Sequence, residues 1–170
     1  MDAEKYRTVV IGGETWMAEN LNFETSNSWC YRNDASNCDA YGRLYTWDAA
    51  MSACPAGWRL PNDSDWRTLT NAISNAVGIN AGTKLKSTSG WKSRGNGNDE
   101  IGFSALPGGY RNTDGSFGFV GHYGRWWSAT EHDASRARYQ YMLYSNSNVR
   151  SGWYGKSLGF SVRCLMDERP

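Results

Sequence analysis

The stretch GRLYTWDAAMSACPAGWRLPNDSDWRTL, Gly42–Leu69, carries two helical patterns separated by a clear break. In its first half, Trp47, Ala50, Met51 and Cys54 recur at i, i+3, i+4 and i+7, which places them on one helical face. Pro55 and Gly57 then stop that helix. A second helix starts at RLPNDSDW, where Asn62 or Asp63 can cap the N-terminus and acidic residues occupy the first turn. Trp66, Leu69, Ile73 and Val77 line its apolar face, and Gly78 is the expected stop.

On the N-terminal side of this pair, YRTVVIGGETWMAENL reads as two short strands about the Gly12-Gly13 turn. The hairpin is expected over Tyr6–Ile11 and Glu14–Ala18. From Asn22 to Tyr41 the chain is polar, and Cys30 and Cys38 enclose a small loop that reads as a local staple. On the C-terminal side, from Ile79 to Phe160, glycine and asparagine punctuate short extended runs and no helix is expected. GFSVRCL, Gly159–Leu165, reads as a closing strand. Helices segregated from strands in this way specify an α+β class, with residues 1–170 forming one domain.

Composition narrows the function. The chain has 170 residues with 18 Lys+Arg against 17 Asp+Glu, a balance that offers no general attraction to nucleic acid. It combines 9 Trp, 10 Tyr and 19 Gly with a mean hydropathy of −0.68. Such a mixture suits an extracellular or cell-surface binding module, because Tyr and Trp join an apolar body to a polar edge. No run approaches the roughly 20 apolar residues of a membrane span, and MDAEKYRTVV lacks the apolar region of a signal peptide. The four cysteines, Cys30, Cys38, Cys54 and Cys164, permit three complete pairings, and none lies in a C-x-x-C arrangement of the kind zinc sites use.

The motifs GETWMAENLNF, GRLYTWDAAMSACPAGWRLPNDSDWRTL, GTKLKSTSGW, GFSALPGGYRNTDGSF, WWSATE and GFSVRCL together resemble the Fibrobacter succinogenes major paralogous domain over nearly the whole chain. That family in turn resembles the C-type-lectin-like fold, in the branch of formylglycine-generating enzymes. The resemblance implies two helices, N- and C-terminal strands side by side, and a large loop-rich region. It also implies the pairings Cys54–Cys164, tying the first helix to the last strand, and Cys30–Cys38.

The resemblance does not carry enzymatic chemistry with it. Formylglycine-generating enzymes use a reactive cysteine pair in the C-terminal half, where this chain has only Cys164. His122 and His132 lie in loop sequence without a G-x-S-x-G elbow, so no catalytic residue and no cofactor are expected. NGNDE (Asn96–Glu100) and NTDG (Asn112–Gly115) offer oxygen ligands of the kind calcium takes, yet they read more simply as tight turns. The Glu-Pro-Asn and Gln-Pro-Asp triplets of calcium-dependent sugar binding are absent.

A ligand surface is expected in the C-terminal third, formed by His122, Tyr123, Arg125, Trp126, Arg136, Arg138, Tyr139, Tyr141, Tyr144, Arg150, Trp153 and Tyr154. Tyr, Trp and Arg dominate binding hot spots, and a glycan or a protein would suit them equally. In RARYQYM, Tyr139 and Tyr141 share one strand face and Arg138 and Gln140 the other. Of the adjacent pair in GRWWSATE, Trp127 is expected to anchor the core and Trp126 to face outward. The same segment is similar in position and composition to the variable region of proteins diversified by retroelements. His122, Tyr123, Arg125, Arg136, Arg138, Arg150 and Tyr154 would then be its variable positions. A degenerate enzyme of the formylglycine-generating type would instead show a metal or a reactive thiol. A purely structural domain would show no exposed aromatic cluster.

Overall fold

In the computed structural model, which describes residues 5–74 and 78–168, the chain is a mixed α+β protein of four helices and several small antiparallel sheets. The N-terminal hairpin pairs β1 (Thr8–Ile11) with β2 (Glu14–Met17) in the register Ile11↔Glu14. Gly12 and Gly13 sit at φ 61° and 83°. A two-residue hairpin whose twist matches its strands needs positive φ at both positions, and glycine adopts it without steric cost.

The first expected helix is α2 (Trp47–Ala53), and Thr46 caps it by accepting from the Ala49 amide. Trp47, Ala50 and Ala53 are buried, but Met51 is 47% exposed, which corrects its placement on the core face. At 3.6 residues per turn the buried stripe centres near Ala50, and Met51 lies about 100° round from it. The second is α3 (Asp63–Ile73), which buries Trp66 and Leu69 with Ile73 half-buried. Asn62 accepts from the Asp65 amide while the Asp65 carboxylate accepts from the Asn62 amide, a complete capping box. This helix ends at Ile73, with Ser74 already extended, so Gly78 is not its stop. Val77, expected on the apolar face, lies outside the described residues.

Two further helices were not expected. Helix α1 (Ala35–Tyr41) lies in the polar Asn22–Tyr41 segment and contains Cys38, capped by Asp34 accepting from the Ser36 amide. Helix α4 (Ala81–Leu85) falls in the region read as wholly extended. Helix α1 buries only Cys38 and α4 has only five residues, so neither shows an apolar stripe in the sequence, and short helices are held by tertiary packing rather than by propensity. Ala81 and Leu85 are fully buried in the core.

Around these helices run β3 (Ser28–Trp29) with β4 (Leu44–Tyr45), β5 (Trp58–Arg59), and β6 (Tyr110–Arg111) with β7 (Phe117–Gly118). A larger sheet has the order β10–β9–β8, from β8 (Tyr123–Glu131), β9 (Arg136–Leu143) and β10 (Arg150–Gly155). The closing segment is not one strand. Gly159, Phe160 and Ser161 bridge to Arg111, Tyr45 and Trp126 in turn, and β11 (Leu165–Met166) then enters the first sheet between β2 and β5. The N- and C-terminal strands are therefore neighbours, with Leu165 opposite Trp16.

Both disulfides are present, Cys30–Cys38 and Cys54–Cys164, and no cysteine is free. They fit an oxidising compartment. Among the described residues no helix is long and apolar enough to cross a membrane.

Two hydrophobic clusters occupy opposite sides of the β8–β9–β10 sheet. One gathers Met17, Tyr45, Trp47, Trp127, Tyr139, Phe160 and Cys164 against α2. The other gathers Trp16, Trp66, Phe103, Trp126, Met142 and Leu165 against α3 and α4. Trp126 and Trp127 do point in opposite directions, but Trp126 is 0% exposed, so its outward placement is corrected. Alternation excludes both rings from one core; here the sheet has a core on each face. Each indole nitrogen is satisfied, Trp126 donating to Asn20 Oδ1 at 2.9 Å and Trp127 to the Tyr45 carbonyl at 2.7 Å.

Just after α4, the Lys86 ammonium is buried. It donates to the carbonyls of Leu143 (2.5 Å), Asn146 (2.6 Å) and Gly95 (3.4 Å) and lies 4.8 Å from the Trp91 ring. Burial pushes its pKa down to about 8. Between there and the ordinary lysine value of about 10.4 the unfolded chain holds a proton that the folded chain has lost. Stability therefore rises as pH goes from 8 towards 10. Above pH 10 the sign reverses, because burial raises the phenol pKa values of Tyr45 and Tyr139 and the unfolded chain ionises first. Urea midpoints between pH 7 and 11 should pass through a maximum near pH 10, and Lys86→Met should flatten the rise between pH 8 and 9, below the range in which the buried Arg163 contributes with the same sign.

Candidate functional site

The register of the large sheet sorts the expected site residues onto two faces. Antiparallel pairs share a face. Trp127↔Tyr139 and Arg125↔Tyr141 across β8–β9, with Arg150↔Tyr141, Gly152↔Tyr139 and Tyr154↔Ala137 across β9–β10, define one of them. Tyr139 and Tyr141 do share this face, their ring centroids 5.4 Å apart. Arg136, Arg138, Gln140 and Trp153 belong to the other.

The first face is built around Arg125. Its guanidinium carbon lies 4.4 Å from the Tyr110 ring centroid, 5.3 Å from Tyr123, 5.6 Å from Tyr139, 5.8 Å from Tyr154 and 5.5 Å from Phe160. Phe160 and Tyr139 form the floor, both buried, and Tyr154, 46% exposed, packs edge-on against both, at 6.4 Å from Tyr139 and 6.5 Å from Phe160. Burial raises the Tyr139 phenol, with the Arg125 charge pulling the other way. The Arg125 guanidinium makes neither a hydrogen bond nor an ion pair among the described residues, and the hydroxyls of Tyr110, Tyr123, Tyr141 and Tyr154 make no hydrogen bond there. Cation–π contact therefore holds the charge in place while leaving its N–H donors unused.

Two members of this cluster escaped the sequence reading: Tyr110 and Phe119. Phe119 is 48% exposed and stacks on Tyr123 (4.5 Å, 14°) and Tyr110 (5.9 Å, 17°). Its backbone is at φ 62°, a conformation that costs a bulky residue about 1–3 kcal/mol and that concentrates at ligand sites. Tyr110 is brought there by Gly109, at φ 66°, where an added Cβ would stand 2.5 Å from the Gly118 carbonyl. Both rings lie in glycine-rich sequence at the ends of the β6–β7 hairpin, GGYR and FGFV, where a single aromatic has no periodicity to mark it. His122 extends the row, edge-on to Phe119 (6.3 Å) and to Tyr144 (5.0 Å).

The opposite face is chemically quieter. Trp153 is 45% exposed, but its ring is stacked on His132 at 4.8 Å and lies under Arg136 at 4.3 Å. Arg136 is ion-paired with Asp133, which holds that carboxyl well below the usual carboxylate range. Arg138 is paired with Asp63 at 2.9 Å beside a cleft of about 490 Å³ between α3 and the sheet. A larger cleft of about 660 Å³ lies away from the sheet, between the hairpin and α1. Thus Tyr123, Arg125, Tyr139, Tyr141 and Tyr154 come together, with His122 and Tyr144 beside them and Arg150 at the sheet edge. Arg136, Arg138 and Trp153 stand apart, and Trp126 is in the core.

The oxygen-rich turns are occupied by the chain itself. Asp99 accepts from the amide and hydroxyl of Ser104, and Asp114 from those of Ser116. Among the described residues no group of three His, Cys, Asp or Glu side chains is placed to hold a metal ion.

No curated protein and no solved structure matches the chain. Residues 9–166 match the family model described as the Fibrobacter succinogenes major domain, and the chain belongs to that family.

Proposed function

We propose that this domain is a non-catalytic extracellular or cell-surface module, C-type-lectin-like in fold, that binds a glycan or protein ligand on the Arg125 face of its large sheet. The observation that carries this reading is a guanidinium unpaired among the described residues, set among tyrosines whose hydroxyls have no hydrogen-bond partner there. A polar group without a partner is unfavourable inside a cluster of rings unless solvent or a ligand completes it. The neighbouring strand cations Arg136 and Arg138 are by contrast ion-paired. The C-type-lectin-like reading is supported by the adjacent terminal strands and by the Cys54–Cys164 link from the end of α2 to the closing segment. A non-catalytic role is supported by the engagement of all four cysteines in disulfides and of both histidines in ring contacts.

The test is binding of the purified domain to a printed glycan array, with a pull-down from surface-protein extracts in parallel. Phe119→Ala or Tyr154→Ala should weaken the interaction by about 2 kcal/mol, roughly thirtyfold, as for a central aromatic anchor. Trp153→Ala, on the opposite face, should leave affinity within about threefold. Loss on Trp153→Ala with retention on Phe119→Ala and Tyr154→Ala would move the site to the other face. Absence of binding in both screens would refute the reading.

A further inference from the structure

Arg125, Tyr141 and Arg150 are register partners across β8, β9 and β10 and so form one row on one face. With strands about 4.8 Å apart, the two arginine backbones stand roughly 10 Å from each other with a tyrosine between them. Neither guanidinium has a carboxylate or hydrogen-bond partner among the described residues. The other two strand arginines are neutralised, Arg136 by Asp133 and Arg138 by Asp63. The net charge of +1 gives the whole molecule no general preference for anions, so attraction to them is local, and within this sheet it falls on this row.

Resting on the reading above, we infer that the ligand is an acidic saccharide, a chain of sugar rings bearing carboxylates, laid across the three strands. A guanidinium whose faces lie against rings keeps its in-plane N–H fork free, and that fork matches a carboxylate bidentately. Arg125 engages one carboxylate and Arg150 a second. The Tyr141 ring between them and the exposed Phe119–Tyr123 stack supply flat apolar surfaces for the C–H faces of sugars. The partnerless Tyr110 and Tyr154 hydroxyls take the sugar hydroxyls. An acidic peptide would satisfy the two arginines but would leave these hydroxyls and flat rings without complementary groups.

The experiment uses oligogalacturonate and glucuronate-containing oligosaccharides, each also as its carboxyl methyl ester, with polyglutamate as the peptide arm. The expected result is saturable binding of a uronate oligosaccharide, at least tenfold weaker for its methyl ester and at least tenfold weaker for polyglutamate. Arg125→Gln and Arg150→Gln should each weaken it at least fivefold, and Arg150→Gln should leave the methyl ester's residual affinity unchanged. Arg150 is exposed, so its variant tests the row without disturbing the ring cluster. Equal binding of acid and ester, equal or tighter binding of polyglutamate, or no binding of any uronate would each overturn the inference. Neutral glycans bound by the parent protein and lost in Phe119→Ala would overturn only the acid requirement and leave the Arg125 face as the binding site.

Discussion

The paired substitution Cys54→Ala/Cys164→Ala should lower stability by about 4–5 kcal/mol, which at roughly 2–4 °C per kcal/mol is a fall in Tm on the order of 10–20 °C. The bond spans a sequence separation of 110 residues, so its removal frees a large closed loop in the unfolded chain. Breaking Cys30–Cys38, with a separation of 8, should cost only about 2–3 kcal/mol in the same chain-entropy picture. The long link matters beyond entropy. Cys164 is fully buried, and its carbonyl accepts from the Met17 amide at 3.0 Å, so one residue joins α2, the hairpin and the closing segment. Differential scanning calorimetry of the two paired variants measures the difference. A Cys54/Cys164 variant melting within 3 °C of the parent would refute it.

The second large effect is expected at Arg163, fully buried and in no ion pair among the described residues. Its Nε donates to Asn20 Oδ1 at 2.7 Å, and its Nη atoms donate to the carbonyls of Phe103, Ser104 (2.7 Å) and Met17 (3.3 Å). Burial lowers its pKa to about 9, which leaves it charged at neutral pH. Arg163→Met should cost about 3–5 kcal/mol, because the carbonyls remain buried without their donors. Arg163→Lys should recover little, since an ammonium cannot reproduce a planar fork. Asn20 Oδ1 also accepts from the Trp126 indole, and its Nδ2 donates to the Tyr41 carbonyl at 2.8 Å. Arg163 and Asn20 should therefore couple by more than 0.5 kcal/mol in a double-mutant cycle read from urea unfolding. A cost below 1 kcal/mol for Arg163→Met would remove Arg163 from this role. Through Trp126, the same network braces the strand that presents Arg125.

Features set by neighbouring residues were legible in the sequence alone. The Gly12-Gly13 hairpin, the Asn62 cap and the apolar stripe of α3 each depend on a few consecutive side chains and on backbone geometry that those side chains dictate. The opposite orientations of Trp126 and Trp127, and the shared face of Tyr139 and Tyr141, follow from strand alternation. The disulfide pairs were legible only through resemblance, because four cysteines permit three pairings. What lay on the far side of each strand was decided by tertiary structure. Trp126 is buried because α3 and α4 close over the second face of the sheet, and no local pattern carries that fact. Helices α1 and α4 exist because their contacts outweigh weak nucleation. The ring cluster about Arg125 depends on bringing residues 110, 119, 123, 139 and 154 to one place. Sheet register aligns the last three with Arg125, and the two ends of the β6–β7 hairpin deliver the first two. Composition indicated that this region was rich in binding-type side chains. Only the register decided which of them are neutralised by carboxylates and which, Arg125 and Arg150, are left on a shared face without an ion pair among the described residues.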